Sequence, residues 1–176
     1  MIHSHMSLLP TSRSCIPWLL AVASLFYLCG CATPPTEPFP SLSPHQSQSA
    51  LLQLFHQDIP SFTGEVLFQR GQGSDIGLYV TKGNSTQLHL VRVGSTWAAE
   101  GRLASQPWMG SEEDAPRRLR GWIALLQTYE SARSAPDGET IRRFGDQWAS
   151  ILKEDQRLLA LSVRYKNLNY RVRFSE

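Results

Sequence analysis

The segment from Leu158 to Phe174, LLALSVRYKNLNYRVRF, carries the clearest structural signal in this chain. Apolar residues recur at every second position in both of its halves, and turn-forming residues separate the halves between Lys166 and Asn169. A two-residue period is typical of strands, so the segment predicts an antiparallel hairpin with two unlike faces. The apolar face carries Leu159, Leu161, Val163, Tyr165, Tyr170, Val172 and Phe174. The opposite face is basic and carries Arg164, Arg171 and Arg173.

Strand-like periodicity extends upstream from this hairpin. It predicts strands over residues 62–69, 76–81, 87–93, 97–103, 140–144 and 147–152. Gly71 to Asp75 and Lys82 to Ser85 contain the glycines and polar residues that are typical of turns. With the closing hairpin, the chain therefore predicts about seven or eight antiparallel strands.

Two segments predict helices. The first is short, begins after Ser49 as its N-cap and ends at Pro60, with its apolar side at Leu51, Leu52, Leu54 and Phe55. The second extends from about Asp114 to Ala132, capped by Ser111 or Asp114, with apolar residues at helical spacing at Leu119, Trp122, Ile123 and Leu126. The expected fold class is α+β: a curved antiparallel sheet, an incomplete β-barrel, covered by the short N-terminal helix and the central helix.

The N-terminus predicts a targeting segment. Ile16 to Leu28 is a mainly apolar run of 13 residues behind Arg13. Such a run is too short to cross a bilayer core of about 30 Å and is typical of a signal peptide. The proline-rich stretch that follows favours an extended tether. We therefore expect a signal peptide over 1–30, a lipidated cysteine and tether over 31–49, and one domain over 50–176. Met1 and Met6 are both candidate start residues.

Residues Leu28-Cys29-Gly30-Cys31 follow the apolar run and resemble the lipobox of bacterial lipoproteins. This resemblance implies that the lipoprotein-processing machinery adds diacylglycerol to the Cys31 sulfur, cleaves before Cys31 and adds an acyl chain, such as palmitate, to the new amino group. Ala32 in the next position implies sorting to the outer membrane, facing the periplasm, rather than retention in the inner membrane. The alternatives are that Cys31 is a buried thiol or that the run is a short membrane anchor.

The order of the predicted elements resembles the lipoprotein-sorting proteins LolA and LolB and related small lipoproteins. The residues that carry the resemblance are an opening strand at Phe62 to Val66, the hairpin at Gly83, the helix from Leu119 to Leu126, a strand around Trp148, and a closing strand from Asn169 to Phe174. In that family, helices cover an incomplete barrel of antiparallel strands that takes the acyl chains of a passenger lipoprotein. The resemblance therefore implies a half-barrel domain that binds acyl chains or lipoproteins.

Inward positions of the strands and the helix predict the lining of such a cavity. These candidate ligand-binding residues are Leu78, Val80, Leu88, Leu90, Trp122, Leu126 and Trp148. Trp108 and Met109 form an apolar loop that is a candidate contact with a membrane or a partner. The second hypothesis is a structural or interaction-module lipoprotein of an envelope assembly. An open apolar cavity would favour the lipid carrier, and a packed interior would favour the module.

The distribution of reactive residues argues against an enzyme. All three cysteines lie within the first 31 residues, and His45, His56 and His89 lack metal-binding spacing, so neither a metal nor another cofactor is expected. The glycines from Gly71 to Gly77 lie between two predicted strands rather than before a helix, so they predict a turn and not a nucleotide site. With 17 basic and 15 acidic residues, the chain lacks the charge excess of a nucleic-acid-binding protein.

Overall fold

The computed structural model describes residues 38–144 and 147–175. Within these residues the chain forms ten strands and one α-helix, α1 (Arg117–Ser131). In chain order the strands are β1 (Gln46–His56), β2 (Ile59–Arg70), β3 (Ile76–Lys82), β4 (Ser85–Val93), β5 (Thr96–Glu100), β6 (Trp108–Gly110), β7 (Gly138–Phe144), β8 (Gln147–Glu154), β9 (Arg157–Tyr165) and β10 (Leu168–Phe174). Short 3₁₀ turns occupy Arg102–Ala104 and Ala132–Ser134.

The strands form one antiparallel sheet in the order β6-β5-β4-β3-β2-β1-β10-β9-β8-β7. Successive hairpins lead from β1 at the centre to β6 at one edge. The connection through α1 then reaches β7 at the other edge, and β10 returns to pair with β1. The sheet is open, because β6 and β7 each have a neighbouring strand on one side among the described residues. An α+β fold with an open antiparallel sheet is therefore confirmed.

Helix α1 covers one face of the sheet, which we call the inner face, and the opposite face is the outer face. Alternate residues of the strands point inward and are buried, among them Leu52 in β1, Val66 in β2 and Val172 in β10. Burying a side chain of this size contributes about 1.5–3 kcal/mol. These side chains and the buried side of α1 form one apolar core.

The segment after Ser49 is the strand β1, and the predicted short N-terminal helix is wrong. β1 pairs with β2 on one side and with β10 on the other, which orders its whole length. A short apolar run does not distinguish a strand from a helix by its periodicity alone. The turn into β2 has φ angles of 50° at Gln57 and 63° at Asp58, but its sequence lacks the glycine that usually signals such a turn.

Residues 39–44, which the composition predicts to be tether, pack against the outer face as a strap. The Phe39 ring lies 4.6 Å from the His89 ring. Leu42 lies so close to Gly77 that a β-carbon at that glycine would be 3.1 Å from a Leu42 methyl carbon. Residues from Phe39 onward therefore pack with the domain, ahead of the predicted domain start at residue 50.

The closing hairpin forms as predicted, but its turn has only two residues, Lys166 and Asn167, because β10 already begins at Leu168. Tyr170 lies opposite Val163, and Val172 lies opposite Leu161. All four residues are at most 1% exposed, so the predicted apolar face is the inner face. The alternation is therefore a correct guide to which side of this hairpin meets the core.

The central helix begins at Arg117, directly after Pro116, slightly later than predicted. Ser111 and Asp114 bond to each other in the turn before it, and neither side chain caps the helix. Proline is well suited to a helix start, because the first N–H groups have no partner within the helix. The predicted cap is wrong, but the predicted helix and its buried side are correct.

Basic side chains from the sheet bind the C-terminal end of α1. The contacts are Arg70 Nη2 to the Tyr129 carbonyl at 2.8 Å, Arg92 Nη2 to the Glu130 carboxylate at 2.6 Å, and Lys153 Nζ to the Ala135 carbonyl, just beyond the helix, at 2.8 Å. The last turn of α1 has no basic residue of its own. Because a helix C-terminus carries partial negative charge, cations near it stabilise it by typically about 0.3–1 kcal/mol each.

Candidate functional site

Six of the seven residues predicted to line a cavity meet between the sheet and the helix. In the register of β3 and β4, Leu78 lies opposite Leu90 and Val80 lies opposite Leu88. Trp122 and Leu126 of α1 belong to the same apolar cluster. Each of the six is at most 3% exposed. The structure therefore brings these residues together in the interior of the domain.

Aromatic side chains pack between the helix and the sheet. The Trp122 and Tyr170 rings pack edge to face with centroids 4.8 Å apart, and Phe68 stacks on Tyr129 at 4.2 Å. A β-carbon at Gly121 would lie 2.9 Å from two carbons of the Tyr170 ring. Aliphatic carbons require about 3.5–4.0 Å between centres, so an acyl chain does not fit between α1 and β10 in this arrangement.

Trp148 lies on the outer face, and its prediction as a lining residue is wrong. The residues of β8 that are buried toward the helix are Ala149 and Ile151, and Trp148 alternates with them. Its cross-strand neighbours are Arg143 in β7 and Arg164 in β9. The error arises because this strand has apolar residues at both odd and even positions, so alternation alone does not decide which set faces inward.

Trp108 and Met109 form the short edge strand β6, and their prediction as an apolar loop is wrong. In the pairing of β6 with β5, Trp108 lies opposite Ala99 and Met109 lies opposite Ala98. Trp108 is half-buried and packs against the apolar core, and Met109 is half-buried on the other parity. The strand has only three residues, and a two-residue period cannot be recognised over that length.

A polar pocket of about 930 Å³ opens at the end of the sheet where β1 begins and β8 turns into β9. Gln48, Tyr129 and Arg133 contribute to its wall. Arg70 and Lys153 line it too, and both donate to carbonyl oxygens at or just beyond the C-terminal end of α1. Lys153 is only 5% exposed, and a buried ammonium group requires such partners. The pocket is therefore a polar site at the edge of the apolar core.

His89, Tyr79 and Glu100 form a cluster on the outer face beneath the strap. His89 Nδ1 lies 3.1 Å from Glu100 Oε1, and the His89 ring stacks on Tyr79 with centroids 3.9 Å apart. Burial lowers the pKa of His89, and the hydrogen bond to Glu100 offsets part of that effect. Burial also raises the pKa of Tyr79, and the negative charge of Glu100 adds to the increase. Because Phe39 covers His89, the cluster mainly packs the strap against the sheet.

The described ranges 38–144 and 147–175 contain no group of three or more His, Cys, Asp or Glu side chains that could hold a metal ion. None of the helices in this part of the chain has the length and apolar character needed to span a membrane. Cys31, the predicted lipidation site, lies outside the described residues. No protein-family model and no curated protein matches the chain.

Proposed function

We propose that the protein is a lipoprotein of the outer membrane, facing the periplasm, whose domain is a non-catalytic interaction module with a filled core. The lipobox-like sequence from Leu28 to Cys31 supports the anchor. The close contact between Gly121 and Tyr170 is the observation that favours an interaction module over a lipid carrier. It seats α1 directly on β10, where a carrier would need space for acyl chains.

The environment of His89 supports a non-catalytic role. Within the described residues, the histidine–carboxylate contact is the one between His89 and Glu100. The rings of Phe39 and Tyr79 pack against this histidine, and its side chain is only 12% exposed. A general base must reach the proton that it removes from a substrate, and this packing obstructs that approach.

Binding of acyl chains or lipoproteins, as in LolA and LolB, is the second candidate function. The observation that favours it is the architecture, in which one helix crosses an open antiparallel sheet. Such binding requires α1 to move away from β10 and expose Trp122 and Leu126 to the ligand. The contacts of Arg70 and Lys153 with the end of the helix oppose this movement.

A ligand titration distinguishes the two functions. A fatty acid or a diacylated lipopeptide, each below its micelle concentration, is added to residues 31–176 carrying Cys31→Ser. The module predicts no saturable change in tryptophan fluorescence. The carrier predicts a saturable signal that disappears in Trp122→Phe and weakens in Leu126→Glu, but not in the exposed control Arg118→Glu. That second result would reject the module.

A further inference from the structure

Four exposed arginines lie together on the outer face, in the half of the sheet made by β7 to β10. They are Arg143 in β7, Arg164 in β9, and Arg171 and Arg173 in β10. The strand register places Trp148 between Arg143 and Arg164 across three adjacent strands. We call these four arginines and Trp148 the arginine face. It is spread over four strands, so the sheet holds its members in fixed relative positions.

Among the described residues, the acidic side chains on the outer face of β7 to β10 lie away from Trp148. Glu139 and Glu154 stand at the ends of β7 and β8 that are far from it. Arg164 lies 3.6 Å from Asp58, but the two side chains are 55% and 67% exposed, so water screens the pair. Arg171 lies over the Phe55 ring at 4.5 Å. Counted over the described residues, the arginine face therefore keeps a net positive charge.

Exposed apolar side chains share this side of the molecule. Ile141 in β7, Leu152 in β8 and Leu51 in β1 are 54%, 39% and 44% exposed. In the strand register they occupy the same parity as the arginines, and Leu51 lies directly opposite Arg173. Arginines interleaved with exposed apolar groups match the boundary between anionic head groups and acyl chains in a bilayer.

The strap also enters the fold on the outer face. Its first residue, Phe39, packs against His89 on that face. Cys31 precedes Phe39 by eight residues, and eight residues reach at most about 28 Å when fully extended. A lipid on Cys31 would therefore hold Phe39, where the strap meets the outer face, within about 28 Å of the membrane surface.

From this charge, this apolar exposure and this point of entry, we propose that the arginine face docks on the anionic head groups of the bilayer that anchors the protein. The proposal rests on the proposed function for the lipid anchor at Cys31 and for the identity of the membrane. The binding itself belongs to the arginine face and does not require the acyl chains. Docking would fix the orientation of the domain and leave the helix-covered side turned toward the periplasm.

The test uses residues 31–176 with Cys31→Ser, so that no attached acyl chain contributes to binding. Co-sedimentation compares vesicles of phosphatidylcholine alone with vesicles of two parts phosphatidylcholine and one part phosphatidylglycerol. We expect binding to the anionic vesicles only, and its loss at high salt, because salt screens the head-group charge. Arg171→Gln with Arg173→Gln should weaken this binding about 30-fold, since each arginine near such a surface contributes roughly fivefold.

The matched control is Arg117→Gln with Arg118→Gln, which removes the same charge from exposed positions of α1. It should change the binding by less than about twofold. Trp148 provides a second readout, because its emission should move to shorter wavelength on anionic vesicles. That shift should disappear in Trp148→Phe. Thermal unfolding of each variant verifies that the fold is retained.

Three outcomes would overturn the proposal. One is equal binding to neutral and anionic vesicles, and another is an equal loss of binding in both double variants. The third is no binding to anionic vesicles; if the arginine face were then required for cross-linking to an acidic envelope protein, its partner would be that protein and not a membrane. Absence of lipid on Cys31 would leave all vesicle results unchanged, so the two proposals fail separately.

Discussion

Gly121 of α1 lies directly against Tyr170 of β10, and a β-carbon at Gly121 would overlap the phenolic oxygen. Both residues are buried. A glycine inside a helix is less favourable than alanine by roughly 0.5–1 kcal/mol, so a glycine at this position needs a compensating reason. The reason is the close approach of helix and sheet, which brings Trp122 onto the Tyr170 ring.

Because the Tyr170 hydroxyl is buried, we expect Tyr170→Phe to preserve or improve the stability of the domain. Among the described residues this buried hydroxyl has no hydrogen-bond partner, and burial raises the pKa of the phenol. Phenylalanine removes a polar group that has lost water without gaining a bond. The free energy of unfolding should therefore rise by about 0.5–1 kcal/mol or stay unchanged in urea denaturation.

The control for this substitution is Tyr129→Phe. The Tyr129 hydroxyl lies 3.5 Å from Gln48 Oε1, so its removal should bring no gain. If Tyr170→Phe instead lowered the free energy of unfolding by more than about 1 kcal/mol, the hydroxyl would have to be hydrogen-bonded, contrary to the packing described.

Replacing Gly121 by alanine should destabilise the domain, whereas an ordinary glycine-to-alanine change in a helix raises the free energy of unfolding. Gly121→Ala should lower the free energy of unfolding by about 1–3 kcal/mol, because the new methyl group meets Tyr170. The loss should be smaller when Tyr170→Phe is already present, since the nearest clashing atom is gone. Urea denaturation of the two single variants and the double variant gives the coupling energy. Strictly additive effects would contradict a direct contact between these residues.

The closing hairpin could be predicted because all of its information is local. Its alternation and its turn lie within one stretch of 17 residues from Leu158 to Phe174. β1 is different, since its strand conformation depends on pairing with β2 and with β10, and β10 lies more than 100 residues later. The preference of a short leucine-rich run for the helical conformation does not outweigh such strand pairing.

The candidate surfaces show the same division between local and long-range information. The alternation in the closing hairpin predicts that Arg164, Arg171 and Arg173 share one face. Arg143 and Trp148 join them only through the register of β7 and β8, which the sequence leaves undecided. The contacts of Lys153 and Arg70 with the helix end have no sequence signal, because they join residues 18 and 59 positions apart.

Val172→Asp should abolish folding. Val172 is 1% exposed on the inner face, and a carboxylate there would be buried without a cation. The cost of several kcal/mol is comparable to the whole stability of a domain, about 5–15 kcal/mol. The neighbouring Arg173→Asp, on the exposed face, should fold normally. Circular dichroism during heating checks both, and a cooperative melt of Val172→Asp would mean that the hairpin's faces are reversed.

The buried His89 predicts that the domain loses stability in mild acid. Burial lowers the pKa of His89 below its ordinary value of 6.5, so the unfolded chain binds its proton more readily than the folded chain. This contribution is fully present above pH 6.5 and is lost as the pH falls toward the folded pKa. The free energy of unfolding should therefore be lower at about pH 5.5 than at about pH 7.5.

His89→Gln removes the titrating group and should reduce this pH dependence. The exposed His56→Gln is the matched control and should keep the dependence of the unsubstituted chain. Urea denaturation at both pH values measures the effect. The same fall in stability in His89→Gln and in the parent chain would show that other groups cause it.

The lipobox-like sequence predicts that Cys31 carries the lipid. Cys31→Ser should abolish labelling of the full chain by a palmitate analogue, because the first acylation step needs the sulfur atom. The matched control is Cys29→Ser, which removes a thiol two residues away and should leave labelling intact. Labelling is the decisive readout, since an uncleaved apolar run from Ile16 to Leu28 could hold the Cys31→Ser chain at the membrane without any lipid. Label that persists in Cys31→Ser, or that is lost in Cys29→Ser, would place the modification elsewhere and remove the basis for a lipid anchor at Cys31.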